Sequence, residues 1–137
     1  MLEKLQKFVD EMKSTSSLNE KKVIIDSIKN NEFITSSLNY TYDPYKKYYV
    51  TSKTCKKNFD LLGHPNTYGS IFTLLDDLAN RVCTGHDAIA NVNRFILENK
   101  QYEDLIFSII DRNLEIRASD SVINKVIPNL IPTFDVA

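Results

Sequence analysis

Leu2, Leu5, Phe8, Val9 and Met12 recur at three- and four-residue spacing, and every residue between them is polar or charged. That spacing puts five apolar side chains on one face of a helix over residues 2–13. The polar run Ser14 to Ser17 breaks it. Ser17 and Glu20 then have capping-box spacing, which opens a second helix with Leu18, Ile24, Ile25 and Ile28 inward. A third helix, about 31–40, buries Phe33, Ile34 and Leu38. Pro44 argues for a turn. Residues 45–50 fit a short helix or an extended piece, with helix preferred. Residues 51–69 read as a loop punctuated by Gly63, Pro65 and Gly69.

Ser70 caps a fourth helix with Ile71, Leu74, Leu75, Leu78 and Val82 inward. The tetrapeptide TGHD interrupts it, and Thr84 with Asp87 repeats the capping-box spacing. The fifth helix carries Ile89, Val92 and Ile96 and ends at Asn99 and Lys100. A sixth, from about Tyr102, buries Leu105, Ile106, Ile109 and Ile110. Ser119 caps a last short helix with Val122, Ile123 and Val126 inward, and Pro128 helps to stop it. Apart from YYVT, no segment alternates cleanly enough for a strand. The pattern predicts an all-α fold, a single compact domain of about seven helices spanning 1–137.

Composition agrees. A chain of 137 residues suits one domain with one core, and 42% hydrophobic and 26% charged residues with only three glycines suit a helical globular protein. A net charge of −1 neither announces nor excludes a nucleic-acid partner, because a local patch decides. The charge is uneven: residues 1–60 carry 11 basic and 8 acidic side chains, while 61–137 carry 6 and 10. Two cysteines are too few for a disulfide framework and fit a reducing, cytoplasmic setting, the host cytoplasm for a viral protein. The start, MLEKLQKFVDEMK, lacks the apolar core of a signal peptide, and no apolar run approaches the ~20 residues that span a bilayer. A monomer with no membrane contact is expected.

Few residues offer chemistry. Cys55, His64, Cys83 and His86 are zinc-ligand types, but only Cys83 and His86 have compact spacing, and a structural site needs two such pairs. Cys83 reads more simply as a helix end and His86 as a helix start, so no metal is expected. A nucleophilic cysteine would need a group that lowers its pKa, and none is in view. Asp76–Asp77 and Glu103–Asp104 are adjacent pairs on different helix faces, and no Gly-rich phosphate loop exists. No catalytic residue is assigned.

Two stretches suit nucleic acid. Tyr40, Tyr42, Tyr45, Tyr48 and Tyr49 interleave with Lys46, Lys47, Lys53, Lys56 and Lys57. Such lysines and tyrosine hydroxyls can hold phosphates, although packed tyrosines beside a solvated lysine face would look the same. From Arg112 to Lys125 the signal is stronger. Arg117 precedes a helix start capped by Ser119, whose free backbone N–H groups favour phosphate, while Ser121, Asn124 and Lys125 face outward. With no bulky base-reading array, this predicts binding independent of base sequence.

The stretch RNLEIRASDSVINKVIPNLIP, residues 112–132, resembles the segment that closes the N-terminal DNA-binding domain of ATP-dependent DNA ligases, the compact phage-type enzymes above all. YTYDPYKKYYV, FTLLDDL and TGHDAIANV resemble other family segments in the same order, so the resemblance runs from about residue 20 to 132. It implies an all-helical domain on the minor groove of nicked double-stranded DNA, working in replication or repair. Such domains touch the backbone on both sides of the break and help the catalytic domains of the same chain to encircle it. Carried over by position, the contacts are Arg112, Asn113, Arg117, Ala118, Ser119, Ser121, Asn124 and Lys125, with Thr84 and Gly85 in a second turn and Lys53, Lys56 and Lys57 beside them.

Two departures matter. Arg117 stands where the family commonly has glycine, so the backbone there must either take an ordinary conformation or bear an unusual one. The ligase nucleophile is the lysine of a Lys-x-Asp-Gly motif that attacks ATP, and no Asp-Gly dipeptide occurs in these residues. The chain reaches IPTFDVA about where the family passes into its nucleotidyltransferase domain. The resemblance therefore implies a domain without cofactor of its own, ATP and Mg belonging to the nucleotidyltransferase and OB-fold parts of a parent ligase. The rival readings are a helical protein-interaction module without DNA binding, and a small metal enzyme resting on Cys83 and His86.

Overall fold

In the computed structural model, residues 1–62 and 68–133 are described. They form eight α-helices and one 3-10 turn, with no strand among the described residues. The helices are α1 (Leu2–Lys13), α2 (Leu18–Ser27), α3 (Glu32–Tyr42), α4 (Ser52–Lys57), α5 (Ile71–Ala79), α6 (Gly85–Glu98), α7 (Glu103–Ile110) and α8 (Asp120–Val126), with the 3-10 turn at Lys100–Tyr102. They divide into two compact units, Met1–Tyr45 with Arg112–Ala137, and Lys46–Asp111.

In the first unit α1 packs against α2 and α3, and α2 against α8. The apolar stripe of α1 is buried through Leu5, Phe8, Val9 and Met12. Ile25 of α2, Ile34 and Leu38 of α3 and Ile123 of α8 are buried in the same unit, and each such burial contributes about 1.5–3 kcal/mol. The expected caps form: Ser17 Oγ accepts the Glu20 N–H at 3.3 Å, and Asn31 Oδ1 accepts the Ile34 N–H at 3.1 Å. The buried stripe of α2 is narrower than its sequence predicts, because Leu18 is exposed and Ile24 and Ile28 are only half-buried. Lys21 takes the inward place instead, 3% exposed. On α8 only Ile123 is buried, with Val122 and Val126 half-covered.

In the second unit α5 packs on α6, and α4 touches both α6 and α7. Ile71, Leu74, Leu75 and Leu78 face in from α5, as its spacing predicts. Val82 does not: α5 ends at Ala79, Arg81 turns the chain in a left-handed conformation at φ 59°, and Val82 is exposed. Residues 45–50 are not helical, and Tyr49 sits at φ 61°. The helix lies further on, inside the stretch expected to be a loop. Thr51 Oγ1 accepts the Thr54 N–H at 3.2 Å to start α4, and the Asp111 carboxylate accepts the Ser52 N–H at 2.8 Å and its hydroxyl. Gly63 and Pro65 lie outside the described residues.

Candidate nucleic-acid interface

The segment from Arg112 to Arg117 belongs to the first unit, between α7 and α8 in the chain. Leu114 and Ile116 are buried, and the alternate residues Asn113, Glu115 and Arg117 are exposed. Its backbone is unusual. Arg112, Glu115 and Arg117 all lie in the left-handed region, at φ 64°, 57° and 55°. Each such placement costs an L-residue roughly 1–2 kcal/mol relative to ordinary conformations. The surroundings hold it there. Lys21 Nζ donates to the carbonyls of Ile116 at 2.6 Å and Met12 at 3.1 Å. Tyr42 Oη accepts the Leu114 N–H at 3.1 Å, and the Arg112 guanidinium donates to the Asp43 carbonyl at 2.7 Å. Asn113 Oδ1 accepts the Glu115 N–H at 2.8 Å. Burial raises the Tyr42 pKa, the Leu114 N–H partly offsets this, and the Glu115 charge adds to it.

These bonds divide the candidate residues. Arg112 is engaged in bracing the segment, so its guanidinium is a structural tie as well as a charge. Asn124, expected to face outward, is half-buried and brackets Ile131, donating to its carbonyl and accepting its N–H, both at 2.9 Å. The open helix start expected at Ser119 is largely filled. Ser119 Oγ accepts the Val122 N–H at 3.3 Å, Asp120 Oδ1 accepts the Ser121 N–H at 2.8 Å, and the two serine hydroxyls bond each other at 2.8 Å. With the Asp120 carboxylate in the first turn, this helix end is no cradle for an anion. Asn113, Arg117 and Lys125 remain exposed, with Ala118 half-buried between them in the chain. Lys13, Asn113, Glu115 and Arg117 line an open depression of about 580 Å³.

Thr84, Gly85, Lys53, Lys56 and Lys57 belong to the second unit. Thr84 is the N-cap residue of α6 but makes no side-chain cap bond, and Gly85 follows at φ 56°. Both are exposed. Lys53, Lys56 and Lys57 are exposed on α4, with Lys56 Nζ 5.2 Å from the centroid of the Phe107 ring. The tyrosine-lysine stretch is mixed: Tyr48 is buried, while Tyr45 and Tyr49 are exposed and Arg81 lies over the Tyr49 ring at 4.3 Å. Among the residues considered for a metal, Cys55 is buried and its thiol is pushed up to about 11 by burial, then by the charge of Asp111. Cys83 is half-buried, His86 exposed, and His64 lies outside the described residues. No group of three or more His, Cys, Asp or Glu among the described residues is placed to hold a metal ion. No helix there is long and apolar enough to cross a membrane.

Two participants escaped the sequence. Lys21 carries no local signal in the sequence, and only a partner 95 residues away reveals its role. Lys13 ends α1 as an ordinary basic residue in the sequence, and only the fold makes it line one depression with Arg117.

Comparison with known proteins gives the segment a context. No protein-family model matches the chain. It is 30% identical over 134 residues to the DNA ligase of Enterobacteria phage T4, and equally to that of phage T6. Those alignments cover 92% of this chain and 26% of each ligase, so the chain spans about a quarter of the length of these curated relatives. Among solved structures, Pmar-Lig_PreS3 superposes with a TM-score of 0.72 at 17% identity, covering 93% of this chain and 31% of that one. Pmar-Lig_Pre gives 0.69 at 16% identity, over 89% and 29%. These two share the fold.

Proposed function

We propose that this chain, homologous to phage DNA ligases, is the N-terminal part with which such a ligase grips nicked duplex DNA. It holds the sugar-phosphate backbone along the minor groove, without reading base sequence, while catalytic domains of the same parent chain carry out ATP-dependent sealing in replication or repair. The observation that carries this is Arg117. Its backbone is held left-handed by a clamped segment, and its guanidinium is left exposed. A rigid mount for a free cation, with no bulky base-reading group beside it, suits a phosphate rather than a base edge. The position at which the ligase resemblance has glycine thus keeps a glycine conformation and adds a charge.

Titrating nicked duplex into the chain over a range of salt concentrations tests the reading. Each neutralised phosphate contributes a slope of about −0.9 in log affinity against log salt. Replacing Arg117 and Lys125 together with alanine is expected to flatten the slope by about two units while the protein stays folded. A folded double variant with wild-type affinity and slope removes this segment from the interface. Changing Lys56 and Lys57 decides whether α4 belongs to it: an unaltered slope makes α4 a solvated face, a flatter one adds it. Because no Asp-Gly dipeptide occurs in the chain, labelled ATP is expected to leave no covalent AMP on it. An acid-stable adduct would contradict the assignment of catalysis to other domains.

The protein-interaction reading is favoured by one feature, the open groove in the second unit lined by Phe59, Leu62 and Leu97, all exposed. That reading expects no duplex binding at any salt concentration.

A further inference from the structure

Glu115 and Arg117 both stand in the left-handed region, where glycine would carry no steric penalty, and both side chains are exposed. Lys13, at the end of α1, lines the same depression. Among the described residues no ion pair joins either cation to the carboxylate. Strain kept at an exposed charged residue with no partner in the fold points to a partner outside it. The depression holds two cations, one carboxylate and the Asn113 amide, whose Oδ1 is already engaged by the Glu115 N–H. Its balance is therefore a single positive charge, which one phosphodiester neutralises.

We propose that Lys13 and Arg117 hold one and the same backbone phosphate of the bound duplex, with Asn113 Nδ2 as a further donor and Glu115 as the charge that bars a second phosphate. This rests on the DNA-gripping reading given above. It adds Lys13, at the far end of the sequence from the segment the ligase resemblance singles out, and it assigns Glu115 a restraining role.

The test is titration of nicked duplex across salt concentrations with the wild-type chain, Lys13→Gln, Arg117→Gln, the double variant, Glu115→Gln and the control Lys7→Gln on the same helix. Each of the first two singles is expected to flatten the slope by about one unit. The double variant is expected to flatten it by about one as well, because both side chains serve the same phosphate. Glu115→Gln is expected to tighten binding about fivefold, the factor matching ~1 kcal/mol of relieved repulsion at 4 Å in water. Lys7→Gln should match wild type. The proposal is overturned by a wild-type slope in Lys13→Gln, by a double variant flattened by about two units, or by Glu115→Gln binding no more tightly than wild type. If the wild-type chain shows no salt-dependent binding, the DNA-gripping reading itself fails. If Arg117→Gln flattens the slope and Lys13→Gln does not, only the shared phosphate fails.

Discussion

Arg117 lets stability be separated from the proposed binding within one side chain. Its φ of 55° is unfavourable for any residue with a Cβ. Arg117→Ala removes the charge and keeps the strain, whereas Arg117→Gly removes both. The relief of roughly 1–2 kcal/mol is partly offset by the extra freedom of glycine in the unfolded chain, roughly 0.5–1 kcal/mol. The glycine variant should therefore unfold at higher urea concentration than the alanine variant, by about 0.5–1 kcal/mol, while both lose the DNA contact proposed for Arg117. Equal urea midpoints would mean that the surroundings relax to accept the left-handed arginine without strain.

At the scale of elements, α4 depends on few residues. It has six residues, and its one buried side chain is Cys55. Burial holds the Cys55 thiol protonated up to about pH 11, above its ordinary value near 9. The neutral thiol is then favoured by folding. That contribution is complete below pH 9 and is lost as pH rises toward 11, when the unfolded chain ionises first. Wild type should therefore lose more stability between pH 8 and 11 than Cys55→Ala, which has nothing to ionise there. Parallel curves for the two proteins, measured by urea unfolding at each pH, would show that the thiol is not isolated from water.

The same helix shows where sequence reading stops. Ser17, Ser70 and Ser119 mark helix starts because a capping side chain and the next apolar positions are neighbours in the chain, and all three caps form. In α4 a single inward residue leaves no period to read, and Asp111, which secures its start, is 59 residues away. The candidate interface divides similarly. Arg117 and Lys125 were legible as exposed charges, and glycine's place in the ligase pattern foreshadowed the unusual backbone. The inward role of Asn124 was not legible, because its partner Ile131 follows a turn that helix periodicity does not describe. Nor was the closing of the α8 start, where the Asp120 carboxylate turns back to accept the Ser121 N–H beside the Ser119 cap.

For the whole molecule, the order of the chain and the order of packing differ. The second unit is one continuous stretch, Lys46–Asp111, set between the two parts of the first. Within the first unit the ties between those parts include bonds that join Lys21 to Ile116, Asn39 to Leu130, Tyr42 to Leu114 and Asp43 to Arg112, across 95, 91, 72 and 69 residues. In contrast α5, α6 and α7 are successive in the chain, and closing short connections is favoured over long ones. Pulsed hydrogen exchange during refolding should find the amides of α5–α7 protected before those of α1–α3. Protection of α1–α3 first would show that these helices are stable without the Arg112–Ile131 segment.

The Lys21 bond to Ile116 also carries a timetable for synthesis. A growing chain emerges from the ribosome in order, so α1 and α2 leave with their buried lysine still lacking one of its two carbonyl acceptors. They must wait for the rest of their unit while the whole of Lys46–Asp111 is made. The segment that completes that unit is also the one that presents Arg117. A nascent chain therefore acquires the phosphate mount proposed for it only when its first unit closes, and shorter translation products carry the charges of α1 without the segment that presents Arg117.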